Sequence, residues 1–414
     1  GILILSNGFI ISDIRLRKTG GKRNLSTIRK VLIAGAGPAG SSLAIRLARL
    51  GVEVTLIDRD RFPRQKLCGE FISPECFRLL DELGACDTIE SLGGSPILQT
   101  CFYSASGSVA TVPTRWFGGR PALGLSRAAF DNALLERARQ SGVRVLCETR
   151  LVDIKAAGST ISAAIIKSAD GTRSELDADL FVDATGRQAA FAALLGAQRG
   201  LPVACVRPKY VAFKNHFLNA SPEPQSCEMY FFPGGYGGLN RIERDLFNFC
   251  FIVRLGSHAT RRPEKLLQQV IIAQNPKARQ TMRAAVALRE WIGVPVSAYG
   301  FADRISADNL LYVGDSGAFI DPFTGSGILM ALEGGSRAAN CLEASDLNAR
   351  RALRFYALQS RSQFGTRLLS ASILRRAAFS GILSSSAIFA LGRFSSLRRL
   401  LALSTRREPN GHLR

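Results

Sequence analysis

Two glycine-rich runs, far apart in the chain, hold the residue types best suited to bind a phosphate-bearing ligand. The first is Gly35-Ala-Gly37-Pro38-Ala39-Gly40, preceded by the apolar run Val31-Leu-Ile-Ala. At this spacing Gly35 allows a tight turn, Gly37 lets the backbone approach a pyrophosphate, and Gly40 lets a helix pack closely on a strand. Asp58 lies about 20 residues beyond the loop, where a carboxylate can bond ribose hydroxyls. The second run is Gly314-Asp315, with Pro322, Gly325, Gly327 and Ile328 after it. Between them stands Asp183-Ala-Thr-Gly186-Arg187. A third group, Lys66-Leu-Cys68-Gly69-Glu70, offers a thiol that could give a proton or pack as a small apolar side chain.

These residues need particular elements to hold them. Lys30 to Ala34 suits a buried strand. Ser41 to Leu50 has helical spacing, with Leu43, Leu47 and Leu50 on one face. That helix would point free N–H groups and a partial positive charge at phosphates. Val52 to Ile57 reads as the second strand and closes at Asp58. Leu310 to Val313 is another apolar strand, so Asp315 would emerge at its carboxyl end, where open α/β sheets bind ligands. Ile328 to Leu332 reads as a helix whose N-terminus would face negative charge.

The first loop alone does not separate FAD from NAD; the late run does. A reduced flavin carries negative charge near N1 and O2, which a helix N-terminus stabilises, and Asp315 is placed for the ribityl hydroxyls. The expectation is one non-covalent FAD held by segments from the whole chain.

Over roughly residues 30–345 the chain resembles the superfamily of FAD-dependent aromatic hydroxylases (p-hydroxybenzoate hydroxylase-like) and geranylgeranyl reductases. The matching elements are Gly35-x-Gly37-x-x-Gly40, Leu125-Ser-Arg127-x-x-Phe-Asp131-x-x-Leu134, Asp183-Ala-Thr-Gly186-Arg187, and Gly314-Asp315 with Pro322 and Gly325-x-Gly327. Lys66-x-Cys68-Gly69 is similar to the reductase stretch that lies against the isoalloxazine. Tyr230-Phe-Phe232-Pro233-Gly234 is similar to a reductase motif of the substrate sheet. The resemblance implies cofactor contacts from Pro38, Ala39, Arg59, Lys66, Cys68, Arg127, Val152, Asp183 and Gly186 as well. It implies substrate contacts from Tyr230, Phe232, Pro233 and Gly234, and a catalytic role for Cys68.

The implied fold is α/β: a Rossmann-type FAD-binding domain interleaved with an antiparallel β-sheet substrate domain, plus C-terminal helices. The expected division is a basic flexible leader over 1–29, an FAD domain over 30–95, 123–200 and 301–345, a substrate domain over 96–122 and 201–300, and a basic helical region over 346–414.

Charge and cysteines narrow the class. The chain has 414 residues and a net charge of +21. Residues 346–414 carry 13 Arg against Asp346 and Glu408, and residues 1–30 carry seven Lys or Arg against Asp13. The basicity thus belongs to the ends, leaving +4 for the remaining 315 residues. No aromatic-interleaved basic groove points to nucleic acid. An Arg-rich apolar end without acids predicts peripheral attachment to anionic lipid, with a helical cap on the substrate domain as the alternative. Nine cysteines at irregular spacing and three His predict neither a disulfide framework nor a metal site, and a reducing cytoplasm.

The leading functional expectation is a monooxygenase that hydroxylates an apolar aromatic or lipid-like substrate with NAD(P)H and O2. The alternative is a geranylgeranyl-reductase-like enzyme that reduces C=C bonds of a prenyl lipid. Further behind stand a non-catalytic flavin-binding protein and a halogenase, since only Trp116 and Trp291 occur and lie far apart. No second dinucleotide loop is evident, so the electrons would come from transiently bound NAD(P)H or a reduced protein.

Overall fold

The computed structural model describes residues 27–201, 207–297 and 299–404. Most of the expected leader, residues 1–26, lies outside the described residues, as does Cys205.

In chain order the elements that matter are strand β1 (Lys30–Ala34), helix α1 (Pro38–Arg49), β2 (Glu53–Ile57), β3 (Gln99–Tyr103), β4 (Val109–Pro113), α2 (Arg127–Gln140), β5 (Arg144–Leu146) and β6 (Leu180–Asp183). There follow β7 (Tyr210–Leu218), β8 (Ser226–Phe232), β9 (Gly235–Arg241), β10 (Phe247–Arg254), β11 (Val286–Ala287), β12 (Ile292–Val296) and β13 (Leu310–Tyr312). Four helices end the described chain: α3 (Gly327–Glu343), α4 (Ala349–Ala378), α5 (Gly381–Arg393) and α6 (Ser395–Ser404).

Five strands form a parallel sheet in the order β13-β6-β1-β2-β5. Strands from positions 30 to 312 thus meet in one layer. The reason is visible in β1, which is buried from Val31 to Ala34 and must be flanked on both sides. α1 and α3 pack together against this sheet. Their approach depends on small residues: a Cβ at Gly335 would sit 2.7 Å from the Ala39 carbonyl oxygen.

The second large sheet runs β11-β7-β10-β9-β8-β3-β4, with β12 also on β7. It is antiparallel except where β3 lies parallel to β8, from Gln99 opposite Ser226 to Tyr103 opposite Tyr230. Side chains alternate between its faces. Phe213, Tyr230, Phe232, Phe249 and Leu266 pack on one face, under the segment 263–282. Ala212, Met229, Phe231, Tyr236 and Ile252 pack on the other, with Phe379 and Ile388 of the C-terminal region. That region therefore folds back onto the sheet. At the closest approach of α5 to β4, a Cβ on Gly392 would lie 2.5 Å from the Val109 carbonyl oxygen.

Candidate functional site

The dinucleotide end starts at the β1–α1 turn. Gly35 has φ +105°, and a Cβ there would lie 2.3 Å from the Ala184 carbonyl oxygen. A Cβ on Gly40 would lie 2.0 Å from the Gly35 oxygen. α1 begins with Pro38 behind an N-cap, Gly37, that has no side chain to cap it. Its first N–H groups are thus left to a ligand. Asp58 closes β2 and accepts the Ala36 N–H at 2.8 Å and the Asp60 N–H at 3.0 Å. Val152 stands half-buried on the strand Arg150–Ala157, which follows the hydrogen bond from the Thr149 N–H to the Asp58 carbonyl.

Cations surround this turn. A Cβ on Gly37 would be 3.9 Å from the guanidinium groups of both Arg127 and Arg64. Both hold Asp131, Arg127 through two bonds of 2.7 Å and Arg64 through one of 2.9 Å. Arg64 also approaches Asp58 at 3.7 Å and Asp60 at 3.6 Å, so its charge is shared among three carboxylates. Arg64 carried no motif and was invisible in the sequence; only its approach to Gly37 reveals it. Arg127 sits at the first position of α2, behind Ser126, whose Oγ accepts the Ala129 N–H at 3.1 Å.

Lys66 extends the cationic wall, and its ammonium meets no carboxylate at ion-pair distance among the described residues. Burial, then the charges of Arg64, Arg127 and Arg59, pulls its pKa below the ordinary lysine value. Arg59 itself donates to the Gln188 side chain at 2.7 Å.

At the flavin end Gly314 has φ +65°, and a Cβ there would press on Ala39 at 2.9 Å. This sets Asp315 between the β13 end and the first loop. Its half-buried carboxylate has no hydrogen-bond partner among the described residues. Burial pushes its pKa above the ordinary range, against the pull of Arg187, Arg127 and Lys66. An acceptor without a donor, a cation without an anion and an uncapped helix are the three needs that FAD meets. The ribityl hydroxyls fit Asp315, and the pyrophosphate fits Gly37, Arg64, Arg127 and Lys66. Gly325 turns with φ +62° before α3, whose N-cap, Ser326, makes no side-chain capping bond. Ile328 is buried in the core, so only its backbone can face the cofactor.

Two sequence expectations need correction. The Asp183 carboxylate is filled by the protein: it accepts from Thr185 N at 3.1 Å, Thr185 Oγ1 at 2.7 Å and Phe191 N at 2.9 Å. Its carbonyl takes the Ser316 hydroxyl at 2.5 Å. Asp183 is thus scaffold that ties β6 to the Asp315 turn, and Gly186, at φ +73°, turns the chain just after it. Tyr230 and Phe232 point to the face of β8 that packs under 263–282, and the Tyr230 hydroxyl donates to Glu228. Pro233 and Gly234 form the turn beyond and meet Gly381 and Ser257. None of the four lines the pocket. On the same strand, β8, the two-residue period puts Met229 and Phe231 on the pocket face.

That pocket lies beside the 66–70 loop. Its cavity volume is about 200 Å³, and it opens in part to solvent. Gly69 and Gly325 border it, together with Phe102, Phe231, Tyr236 and Phe323. The opposite wall is Leu374 of α4, Ile388 and Leu391 of α5, and Ala402 of α6. Arg398 is the single charged residue of the lining. Tyr236 donates its hydroxyl to the buried Asp321, which also accepts the Phe323 N–H at 3.0 Å. Cys68 is half-buried next to Gly69, and its sulfur accepts the Glu70 N–H at 3.4 Å.

Comparison with known proteins agrees with this geometry. The profile of the FAD binding domain family matches residues 29–370. A digeranylgeranylglycerophospholipid reductase of Methanosarcina mazei is 29% identical over 330 residues, covering 74% of this chain and 73% of the relative. A menaquinone reductase of Mycolicibacterium smegmatis is 27% identical over 338 residues, covering 77% of each chain. Among solved structures, a geranylgeranyl bacteriochlorophyll reductase-like protein of Thermoplasma acidophilum superposes with a TM-score of 0.74 at 18% identity, over 91% of this chain and 96% of the other. A flavin-dependent brominase gives the same TM-score and identity over 92% and 94%. At that identity the likeness speaks for the fold.

Proposed function

Since the chain belongs to the FAD binding domain family and is an FAD-dependent oxidoreductase, we propose that it reduces carbon–carbon double bonds in an apolar chain of a prenyl lipid or quinone. The observation that carries this reading is the pocket: apolar along its walls, bordered by the two loops that would flank the flavin, and free of an acid or histidine in its lining. A hydroxylase acting on a phenol needs a base beside the ring, and Asp321, the carboxylate behind Tyr236, is already engaged by the Tyr236 hydroxyl and the Phe323 N–H. The lipid and the quinone named for the two relatives support an apolar substrate.

FAD, when bound and reduced, supplies the hydride. This chain supplies the proton and the geometry. Cys68 stands one residue outside the lining, next to Gly69; in this reading its thiol gives the proton to the second alkene carbon, and solvent restores it afterwards. The Glu70 N–H bonded to its sulfur orients the thiol. Phe231, Phe323 and Ile388 exclude water and grip an extended chain through apolar contact. The reductant, NAD(P)H or a reduced protein, comes from outside the pocket.

The test is an anaerobic one. Chemically reduced holoprotein is mixed with a geranylgeranyl lipid, and flavin absorbance and product mass are followed. Reoxidation with a gain of two hydrogens per double bond is expected. Reoxidation only in air, with oxygen uptake coupled to a phenolic substrate, would replace this reading with hydroxylation.

The C-terminal helices support attachment to a lipid surface. On α5, Ser384 and Ile388 face inward, while Ile382 and Phe389 are 82% and 66% exposed on the opposite side, with Arg393 following. One helix thus borders the pocket and presents an apolar, basic face outward. Arg376 and Arg399 are exposed as well, whereas Arg375 is held over Tyr299, 4.3 Å from its ring centre. Among the described residues no helix is long and apolar enough to cross a membrane. Sedimentation with anionic vesicles at low salt should carry the protein down, and Ile382→Asp with Phe389→Asp should release it. Indifference to vesicles at low salt would leave the helices as a cap.

A further inference from the structure

The most densely bonded buried polar assembly lies on the pocket face of the second sheet, where the 66–70 loop crosses it. His216 on β7 stands opposite Asn248 on β10, which stands opposite Asn240 on β9. The three form a polar row across three adjacent strands, and Lys214 lies two residues from His216 on the same face. All four are buried, yet the strand around Lys214 and His216 is otherwise rich in Phe and Val.

Every member of the row reaches the same short stretch of chain, residues 65–70. The Lys214 ammonium donates to Glu70 Oε1 at 2.5 Å, the Lys66 carbonyl at 3.0 Å and Gln65 Oε1 at 3.3 Å. His216 Nε2 meets Glu70 Oε2 at 2.7 Å. Asn248 Nδ2 donates to the Cys68 carbonyl and Asn240 Nδ2 to the Glu70 carbonyl, each at 3.2 Å. Glu70 Oε1 also accepts the Arg127 N–H at 2.8 Å. Glu70 has φ +52°, a left-handed conformation that a glutamate holds only when its surroundings over-determine it.

Burying a lysine–glutamate pair brings little net stability, because desolvation offsets attraction, and apolar residues of similar volume often do as well. What the row does achieve is register. It locks the loop that carries Cys68 and, through Glu70, the first residue of α2, which carries Arg127. We propose that Lys214, His216, Asn240 and Asn248 are positioning residues: a clamp, closed on Glu70, that holds Cys68 and Arg127 at fixed places beside the flavin. The clamp rests on the reading of the 66–70 loop as the flavin's neighbour.

The test uses FAD-loaded full-length protein and two variants, Lys214→Met and the double Lys214→Met/Glu70→Gln, the second of which leaves no lone buried charge from the pair. The rate of iodoacetamide modification at Cys68 is read by peptide mass mapping. Cys147, half-buried just beyond β5 in the FAD-binding sheet and away from the row, serves as the internal reference. The visible spectrum of bound FAD is recorded in parallel. Cys68 should react about tenfold faster in both variants, as expected when a charge-assisted hydrogen bond no longer holds a loop shut. Cys147 should not change, FAD should stay bound when supplied at saturation, and its absorption bands should shift. With substrate, kcat should fall while KM holds.

A double variant with wild-type Cys68 reactivity and an unchanged flavin spectrum overturns the clamp. So does a double variant that no longer folds, as read from its far-UV circular dichroism, since the row would then be supporting the fold and not orienting two residues. Neither primary readout needs an alkene. A protein that shows the faster modification but reduces no prenyl lipid therefore keeps the clamp and loses the proposed reaction.

Discussion

The cofactor groove and the substrate pocket share the 66–70 and 322–325 loops, yet they are specified by different means. The groove is set by backbone meeting backbone: Gly35 against Ala184, Gly40 against Gly35, Gly335 against Ala39. Each contact excludes a single methyl group. The pocket is set by side-chain volume contributed by several elements, from Phe102 on β3 to Ile388 on α5. Close-packed apolar walls tolerate exchanges that conserve volume; a glycine whose added Cβ would fall 2.0 Å from a carbonyl oxygen tolerates no larger residue. One region is therefore written as a motif, and the other is free to diverge in sequence while it keeps its character.

Gly40→Ala should give the largest effect of the set. Its methyl group would have to displace the Gly35 carbonyl, at a cost on the order of 3 kcal/mol. FAD per chain, read from absorbance, should fall to a trace, and the urea midpoint should drop. Full FAD occupancy in this variant would break the contrast at its root. Cys68→Ser comes next. Turnover should fall by about 10²-fold, as for loss of a general acid, with the FAD content unchanged. Equal turnover on the true substrate would make Cys68 a packing residue.

Asp315→Ala should weaken FAD by about 2 kcal/mol, the worth of a charged hydrogen bond. Titration of the apoprotein with FAD measures it, and wild-type affinity would remove Asp315 from the ribityl site. Met229→Leu tests the other side of the comparison. This pocket exchange should cost less than about 1.5 kcal/mol, leave FAD untouched and shift KM among substrates of different chain length. Loss of FAD on this change would show that the two regions are not separable.

The smallest expected effect concerns pH. Burial alone would push the Glu70 carboxyl up, but the His216 hydrogen bond and the Lys214 charge pull it below its ordinary value of 4.5. A depressed carboxyl contributes stability above its unfolded value and loses it as pH falls through the folded one. Denaturation midpoints should therefore decline below about pH 4.5, and Glu70→Gln should flatten that decline. An identical acid limb in the variant would mean that other carboxyls carry it.

Much of the groove was legible from residue types. Gly35, Gly37, Gly40, Asp58 and Asp315 come together around the first turn, because each answers a local demand: a turn, a close approach, a strand end; Arg127, implied only by the family resemblance, lies beside them. Asp183 was legible as part of the motif but not in its role, since its carboxylate serves the Thr185 and Phe191 amides instead. Arg64 left no trace, because a lone arginine in a loop becomes informative only once Gly37 is seen beside it.

What the sequence determined by itself was local: the glycine turns, the β1–α1–β2 unit, the late Gly314-Asp315 run and the concentration of charge at the ends. These follow from conformational limits and periodicities that act over a few residues. Tertiary structure decided which face of β8 lines the pocket, that α5 closes it, and that Lys214, His216, Asn240 and Asn248 converge on the segment 65–70. Those outcomes depend on strand register and on packing between residues over a hundred positions apart, and no spacing along the chain encodes them.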